Sequence, residues 1–165
     1  MDDNKLTELS SDFSWATAAF MAKLSEKCYD SEGPFKDAIL PISNKSWQIK
    51  FFDFGGTQAY ALNGKDNFIL TFRGTQPTQW EDIKADLDIK KVYSSTIDGR
   101  VEGKVHRGFK YALNDVWNDV IEHMEKCEAN KKQIFITGHS LGAALATLVA
   151  GRLNNPDVVL YTYGS

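Results

Sequence analysis

Cysteine is scarce in this chain: Cys28 and Cys127 are the only two among 165 residues, each near the end of an expected helix. Two thiols at such wide spacing make neither a disulfide framework nor a metal motif, which favours free thiols over a single bridge. Nothing in the sequence calls for a metal or any other cofactor. No apolar run approaches the ~20 residues of a membrane-spanning helix. Basic runs are missing too. Lys90-Lys91 is too short for a patch, and a net charge of −3 with a pI of about 5.6 argues against nucleic acid as a partner. The start, Met1-Asp2-Asp3-Asn4-Lys5, lacks both the basic and the apolar region of a secretory signal. The location is left open between the cytoplasm, export by a route that needs no such signal, and a signal that has been removed. Histidine is also sparse: His106, His123 and His139 are the only three, and none follows.

What is there is globular. A hydrophobic content of 42% with 25% charge argues against disorder, and the length suits one domain with a real core. No repeat or low-complexity segment occurs.

The most informative stretch spans residues 131–154, KKQIFITGHSLGAALATLVAGRLN. Gln133-Ile134-Phe135-Ile136-Thr137 is β-branched and aromatic, as a buried strand should be. Leu141 to about Leu153 is apolar almost all round, which predicts a buried helix. Between them lies Gly138-His139-Ser140-Leu141-Gly142. A Gly-x-Ser-x-Gly match alone arises by chance in about one chain in twenty of this length. Set between a strand and a helix, it reads as a nucleophile elbow, with Ser140 on a strained turn. Gly138 and Gly142 are expected where strand and helix cross too closely for a Cβ. The free N–H of Leu141 and the positive helix end can stabilise an oxyanion beside Ser140.

Elsewhere, Ser10-Ser11-Asp12 offers caps for a helix through about Tyr29, with Phe13, Ala16, Phe20, Met21 and Leu24 as its core-facing stripe. Gly33-Pro34 and Pro41 mark an irregular stretch. Residues 47–54 and 57–63, joined through Gly55-Gly56, read as a hairpin. Residues 68–72 read as a buried strand leading into Arg73-Gly74-Thr75. Residues 104–127 carry an amphipathic helix on Phe109, Ala112, Leu113, Val116, Trp117, Val120, Ile121 and Met124. Asn154-Asn155-Pro156-Asp157 ends the helix after Ser140, and residues 158–163 form the next parallel strand. Strand, helix and strand with a right-handed crossover predict an α/β fold with a mostly parallel, doubly wound sheet, helices on both faces, and the serine at the carboxyl edge.

Four motifs occur in order: Thr71-Phe72-Arg73-Gly74-Thr75, Val105-His106-Arg107-Gly108-Phe109, Gly138-His139-Ser140-Leu141-Gly142 and Tyr161-Thr162-Tyr163-Gly164-Ser165. Together they resemble the class 3 lipases of the α/β-hydrolase fold, over about residues 14–165. Ala143 departs from the family, which usually has a second Gly there. The resemblance implies a lipase or esterase with Ser140 as nucleophile. It assigns the oxyanion hole to the backbone N–H of Leu141 and that of Thr75, the latter helped by its hydroxyl. Gly74 lets the backbone approach, and Asp86 braces the oxyanion loop. It also implies a lid over residues 76–88, where Trp80, Ile83 and Leu87 share one helical face, with a lipid or small ester as substrate and transient contact with a lipid surface. Plain alternatives stand beside these: a strand-end turn at Gly74-Thr75, a short surface helix at 76–88, and a solvated carboxylate at Asp86.

A serine hydroxyl needs a base. In this fold the acid and the histidine follow the serine. After Ser140 come one acid, Asp157, and no histidine. His139 is expected beside the turn, His106 as a structural residue, and His123 on a solvated helix face. The expectation is therefore that residues 1–165 form the N-terminal portion of one hydrolase domain, with the C-terminal part of the fold supplied by more of the same polypeptide. The segment alone should be inactive. Rival readings are an inactive lipase-like module that binds lipid or protein, and a phospholipase A1 or feruloyl-type esterase.

Overall fold

The computed structural model describes residues 9–42, 47–74, 91–95, 99 and 101–164. Its main sheet has five strands: β1 (Gln48–Phe54), β2 (Thr57–Asn63), β3 (Asn67–Phe72), β6 (Gln133–His139) and β7 (Val159–Tyr163), in the order β1-β2-β3-β6-β7. Only β2 runs against the others, so the sheet is mostly parallel. A separate antiparallel ribbon pairs β4 (Lys91–Ser95) with β5 (Val101–His106). The four α-helices among the described residues are α1 (Trp15–Lys27), α2 (Glu32–Ile39), α3 (Arg107–Lys126) and α4 (Leu141–Leu153).

Strand alternation splits the core in two. Phe68, Leu70 and Phe72 of β3 point to one side, where they meet Leu113, Val116 and Val120 of α3 and Leu145, Ala146 and Val149 of α4. Ile69 and Phe135 point to the other, against Phe20, Met21 and Leu24 of α1 and Phe35 and Ile39 of α2. Central strands buried on both faces read as continuous apolar runs, which is why residues 68–72 and 133–137 are so uniform. Fully burying one such side chain stabilises the fold by roughly 1.5–3 kcal/mol. The β1–β2 turn holds Gly55 at φ 57° and Gly56 at φ 82°, the positive pair that a tight two-residue hairpin demands.

The sheet, the hairpin, α4 and the apolar face of α3 agree with the sequence. Three local expectations do not. First, α1 starts later than Ser10-Ser11-Asp12 implies: its cap is Ser14, whose Oγ accepts from Thr17 N at 3.4 Å. The buried face is therefore Thr17, Phe20, Met21 and Leu24. Phe13, ahead of the helix, is 68% exposed and stacks edge-on with Trp15, and Ala16 is exposed as well. Second, the Gly33-Pro34 stretch is helical as α2. Pro34 falls in its first turn, where the missing N–H removes no intrahelical bond. Third, residues 104–106 pair with 91–93 as strand β5, so α3 begins only at Arg107. Ladder pairing there overrides the helical spacing.

Candidate active site

β6 ends at His139 and α4 begins at Leu141, leaving Ser140 alone at the turn with φ 56° and ψ −122°. Among the described residues, Glu128 and Asn154 are the other non-glycine positions with positive φ, and both sit in the ordinary left-handed well. Ser140 does not, since its ψ lies far from that well. A side chain persists in such a conformation only where its surroundings over-determine it. Here they do so on several sides. Ser140 N donates to Tyr163 O at 2.9 Å, continuing the β6–β7 pairing, and Ser140 O accepts from Ala143 N at 3.0 Å. A Cβ at Gly138 would overlap the backbone of Gly142, and one at Gly142 would overlap the carbonyl of Phe72. Strand, turn and helix thus cross with room for hydrogen alone.

Leu141 opens α4, and helix geometry gives its N–H no acceptor within the helix. That donor and the positive end of α4 stand next to Ser140. Gly74, just past β3, completes the neighbourhood: a Cβ there would overlap both Tyr29 Oη and the carbonyl oxygen of His139. The end of β3 and the elbow therefore touch backbone to backbone. Arg73 is anchored on the other side, where its N donates to Gln58 O at 2.9 Å and its guanidinium to Gln58 Oε1. Thr75, Trp80, Ile83 and Asp86 lie outside the described residues.

His139 is beside the turn, as expected. Its Nδ1 is 3.0 Å from the hydroxyl of Tyr29, and its Nε2 faces Gly164, where an added Cβ would come within 2.8 Å. Burial raises Tyr29 above the usual phenol range, with the Cys28 thiol adding to the shift and Arg73 opposing it. His106 makes an edge-on contact with Phe109, capping α3 through its backbone alone. His123 is not on a solvated face. It is half-buried, edge-on to Phe52 and tilted against Phe68, with Cys127 Sγ 3.5 Å from Nε2. Desolvation lowers its pKa, and Lys50 and Lys126 add to the effect. Among the described residues, no histidine is hydrogen-bonded to the Ser140 hydroxyl.

Under the elbow, the α1 face of the sheet turns polar. Thr137 Oγ1 and Ser25 Oγ are 2.9 Å apart, both fully buried, and Cys28 Sγ lies 3.5 Å from Thr71 O. Thr71 Oγ1 is buried without a hydrogen-bond partner. Burial pushes the Cys28 thiol up to about 12, so this cysteine is inert. Cys127 is also a free thiol. No group of His, Cys, Asp or Glu among the described residues could hold a metal ion, and no described helix is long and apolar enough to cross a membrane.

Sequence reasoning missed Tyr29. It sits 110 positions from His139 and belongs to no local pattern, so only the fold reveals the pair. Arg73 lies inside a recognised motif, but its anchor Gln58 is on another strand.

Comparison with known proteins agrees with this architecture. The family model for Lipase (class 3) matches residues 69–165. Phospholipase A1-IIgamma of Arabidopsis thaliana is 28% identical over 73% of this chain and 34% of its own length. A secreted mono- and diacylglycerol lipase of Malassezia globosa is 32% identical over 59% of this chain and 32% of its own. The chain thus spans about a third of the length of the curated relatives it matches. Among solved structures, lipase II from Rhizopus niveus superposes with a TM-score of 0.68 at 21% identity, covering 91% of this chain and 63% of that one. A triacylglycerol lipase whose catalytic centre is a triad of the serine-protease kind gives 0.65 at 25% identity, covering 88% and 59%. With a family model covering more than half of it and a fold shared with fungal lipases, this chain belongs to the class 3 lipase family.

Proposed function

We propose that the protein hydrolyses carboxylic esters of lipids through a serine acyl-enzyme, with Ser140 as the nucleophile. The single observation that carries this reading is the backbone of Ser140, φ 56° and ψ −122°, held between β6 and α4 by crossings only glycine can make. A strained serine at the carboxyl edge of a central strand presents its Oγ clear of the sheet. Oγ attacks the ester carbonyl, its proton passes to a base, and the alcohol leaves. Water then cleaves the acyl-enzyme. The developing oxyanion is held by the N–H groups of Leu141 and Thr75, and losing one such donor costs about 2.7–4 kcal/mol of transition-state stabilisation.

The base and its acid are taken from polypeptide beyond residue 165, because residues 141–165 contain no histidine and the three earlier ones face Tyr29, Phe109 and Phe52. The 165 residues alone are accordingly proposed to be inactive. The relatives are a phospholipase A1 and a mono- and diacylglycerol lipase, so the proposed substrates are fatty-acyl esters of that kind. Trp80 and Ile83 are proposed to close a lid that opens at a lipid surface, and Asp86 to brace the oxyanion loop. Ser140→Ala in the full-length polypeptide tests the core of the reading. Ester hydrolysis should fall by about 10⁴-fold or more while the thermal transition stays in place. Retained turnover would refute the nucleophile, and failure of a fluorophosphonate to label Ser140 in the native protein would mark an inactive binding module.

A further inference from the structure

Three segments far apart in sequence meet at one phenol. Tyr29 follows the last turn of α1, and its hydroxyl is 3.0 Å from His139 Nδ1, on the residue immediately before Ser140. The same oxygen fills the space where a Cβ at Gly74 would stand, so the end of β3 is packed against it. The Arg73 guanidinium lies 5.8 Å from the centre of the Tyr29 ring, on the residue before Gly74. Tyr29 is itself held in place. The hydroxyl of Tyr60 donates to Asp30 O at 2.9 Å, fixing the next residue, while Ser25 and Cys28 tie the end of α1 to β6 and β3.

Both oxyanion donors of the reading above belong to these segments. Leu141 stands two residues after His139, and Thr75 one residue after Gly74. Their separation must match the oxyanion closely, since a misplacement of about 1 Å can cost about a hundredfold in rate. Main-chain contact between Gly74 and His139 sets how near the segments come. The β3–β6 ladder sets their register as far as Phe72 and Gly138, and Gly74 lies past its end. Beyond the last ladder pair, a directional hydrogen bond from a third element adds the constraint.

We propose that the Tyr29 hydroxyl is a positioning group for catalysis: bonded to His139 Nδ1 and packed on Gly74, it ties the elbow to the end of β3 past the last ladder pair, and so orients the turn that carries Ser140 and the Leu141 N–H. The inference rests on the proposed serine mechanism. Tyr29 Oη and His139 Nδ1 share one hydrogen bond, which either atom can donate. The hydroxyl of Tyr29 is bonded to His139 rather than to Ser140. Its effect passes through the backbone of its neighbours.

The experiment uses the full-length polypeptide with two readouts: the rate of fluorophosphonate labelling of Ser140, and kcat and KM on a soluble short-chain ester. Tyr29→Phe removes one oxygen and keeps the ring on Arg73. Labelling rate and kcat should both fall about tenfold, with KM unchanged, because only transition-state stabilisation is lost. His139→Phe, which breaks the same bond from the other side, should fall equally, and the double variant should fall no further. His139→Asn retains a hydrogen-bonding amide near the position of Nδ1 and should recover most of the loss. Labelling and kcat within twofold of the native protein in both single variants, or additive losses in the double, would overturn the proposal. So would a shared rise in KM with kcat intact. If Ser140 itself never labels in the native protein, it is the serine mechanism that falls. If Ser140 labels and the Tyr29 variant labels as fast, only the positioning role falls.

Discussion

The two faces of the five-stranded sheet are equally dry and chemically unlike. Leu70 and Ile136, partners across β3 and β6, are both fully buried against α3 and α4. One residue further along the same strands, Thr71 and Thr137 are also partners and also fully buried, but they face α1. Along β3 and β6 the first face is apolar. The second changes from Ile69 and Phe135 to Thr71, Thr137 and His139 as it approaches the carboxyl edge. Apolar packing is non-directional and proportional to area, so it supplies stability without fixing fine geometry. Hydrogen bonds fix distance and angle. The difference teaches that both faces hold the domain together by apolar burial, whereas only the α1 face adds directional bonds on β3 and β6 beneath the elbow.

The contrast can be broken first at its meeting point. Gly142→Ala pushes a Cβ into the carbonyl of Phe72. It should cost above about 3 kcal/mol and abolish labelling, because backbone cannot yield as a flexible side chain can. A melting temperature near that of the native protein would show that the crossing is looser than described. Next, Leu70→Ala on the apolar face should destabilise by about 2–5 kcal/mol. Thr137→Val on the polar face should cost about 1–3 kcal/mol by stranding the Ser25 hydroxyl. Denaturant titration ranks the two, and labelling under folding conditions should invert the ranking: the smaller destabilisation should give the slower label. Equal labelling rates would remove the functional asymmetry between the faces.

The smallest effect concerns pH. His123 packs on Phe52 and Phe68 at the margin of the apolar face, and burial holds its pKa below the ordinary histidine value of 6.5. The unfolded chain therefore binds more protons than the folded one just below that value. The stability from a neutral His123 is complete above about pH 6.5 and is lost as pH falls through the folded-state value. Urea titrations at about pH 7.5 and 5 should show this loss, and His123→Gln should reduce it. An unchanged pH dependence in the variant would place the sensitivity elsewhere.

Much of this was legible in the amino-acid order. Residues 133–153 spell out strand, glycine-flanked turn and buried helix, since each constraint there is local: β-branched residues, two missing Cβ atoms and an apolar helix. The start of α1 was not, because Ser10, Ser11, Asp12 and Ser14 are all competent caps and packing against β6 and β7 decides among them. Nor was the solvation of His123, whose charged neighbours Glu122 and Lys126 point away while its own ring lies on β1 and β3.

By itself, then, the sequence determined that the chain forms an α/β sheet with Ser140 at a strained strand-to-helix turn, because short-range sterics demand glycine at 138 and 142 and a buried helix after them. Only the tertiary structure decided what surrounds that turn. Tyr29, Gly74 and His139 meet through packing between segments separated by dozens of residues, and no periodicity records such a meeting.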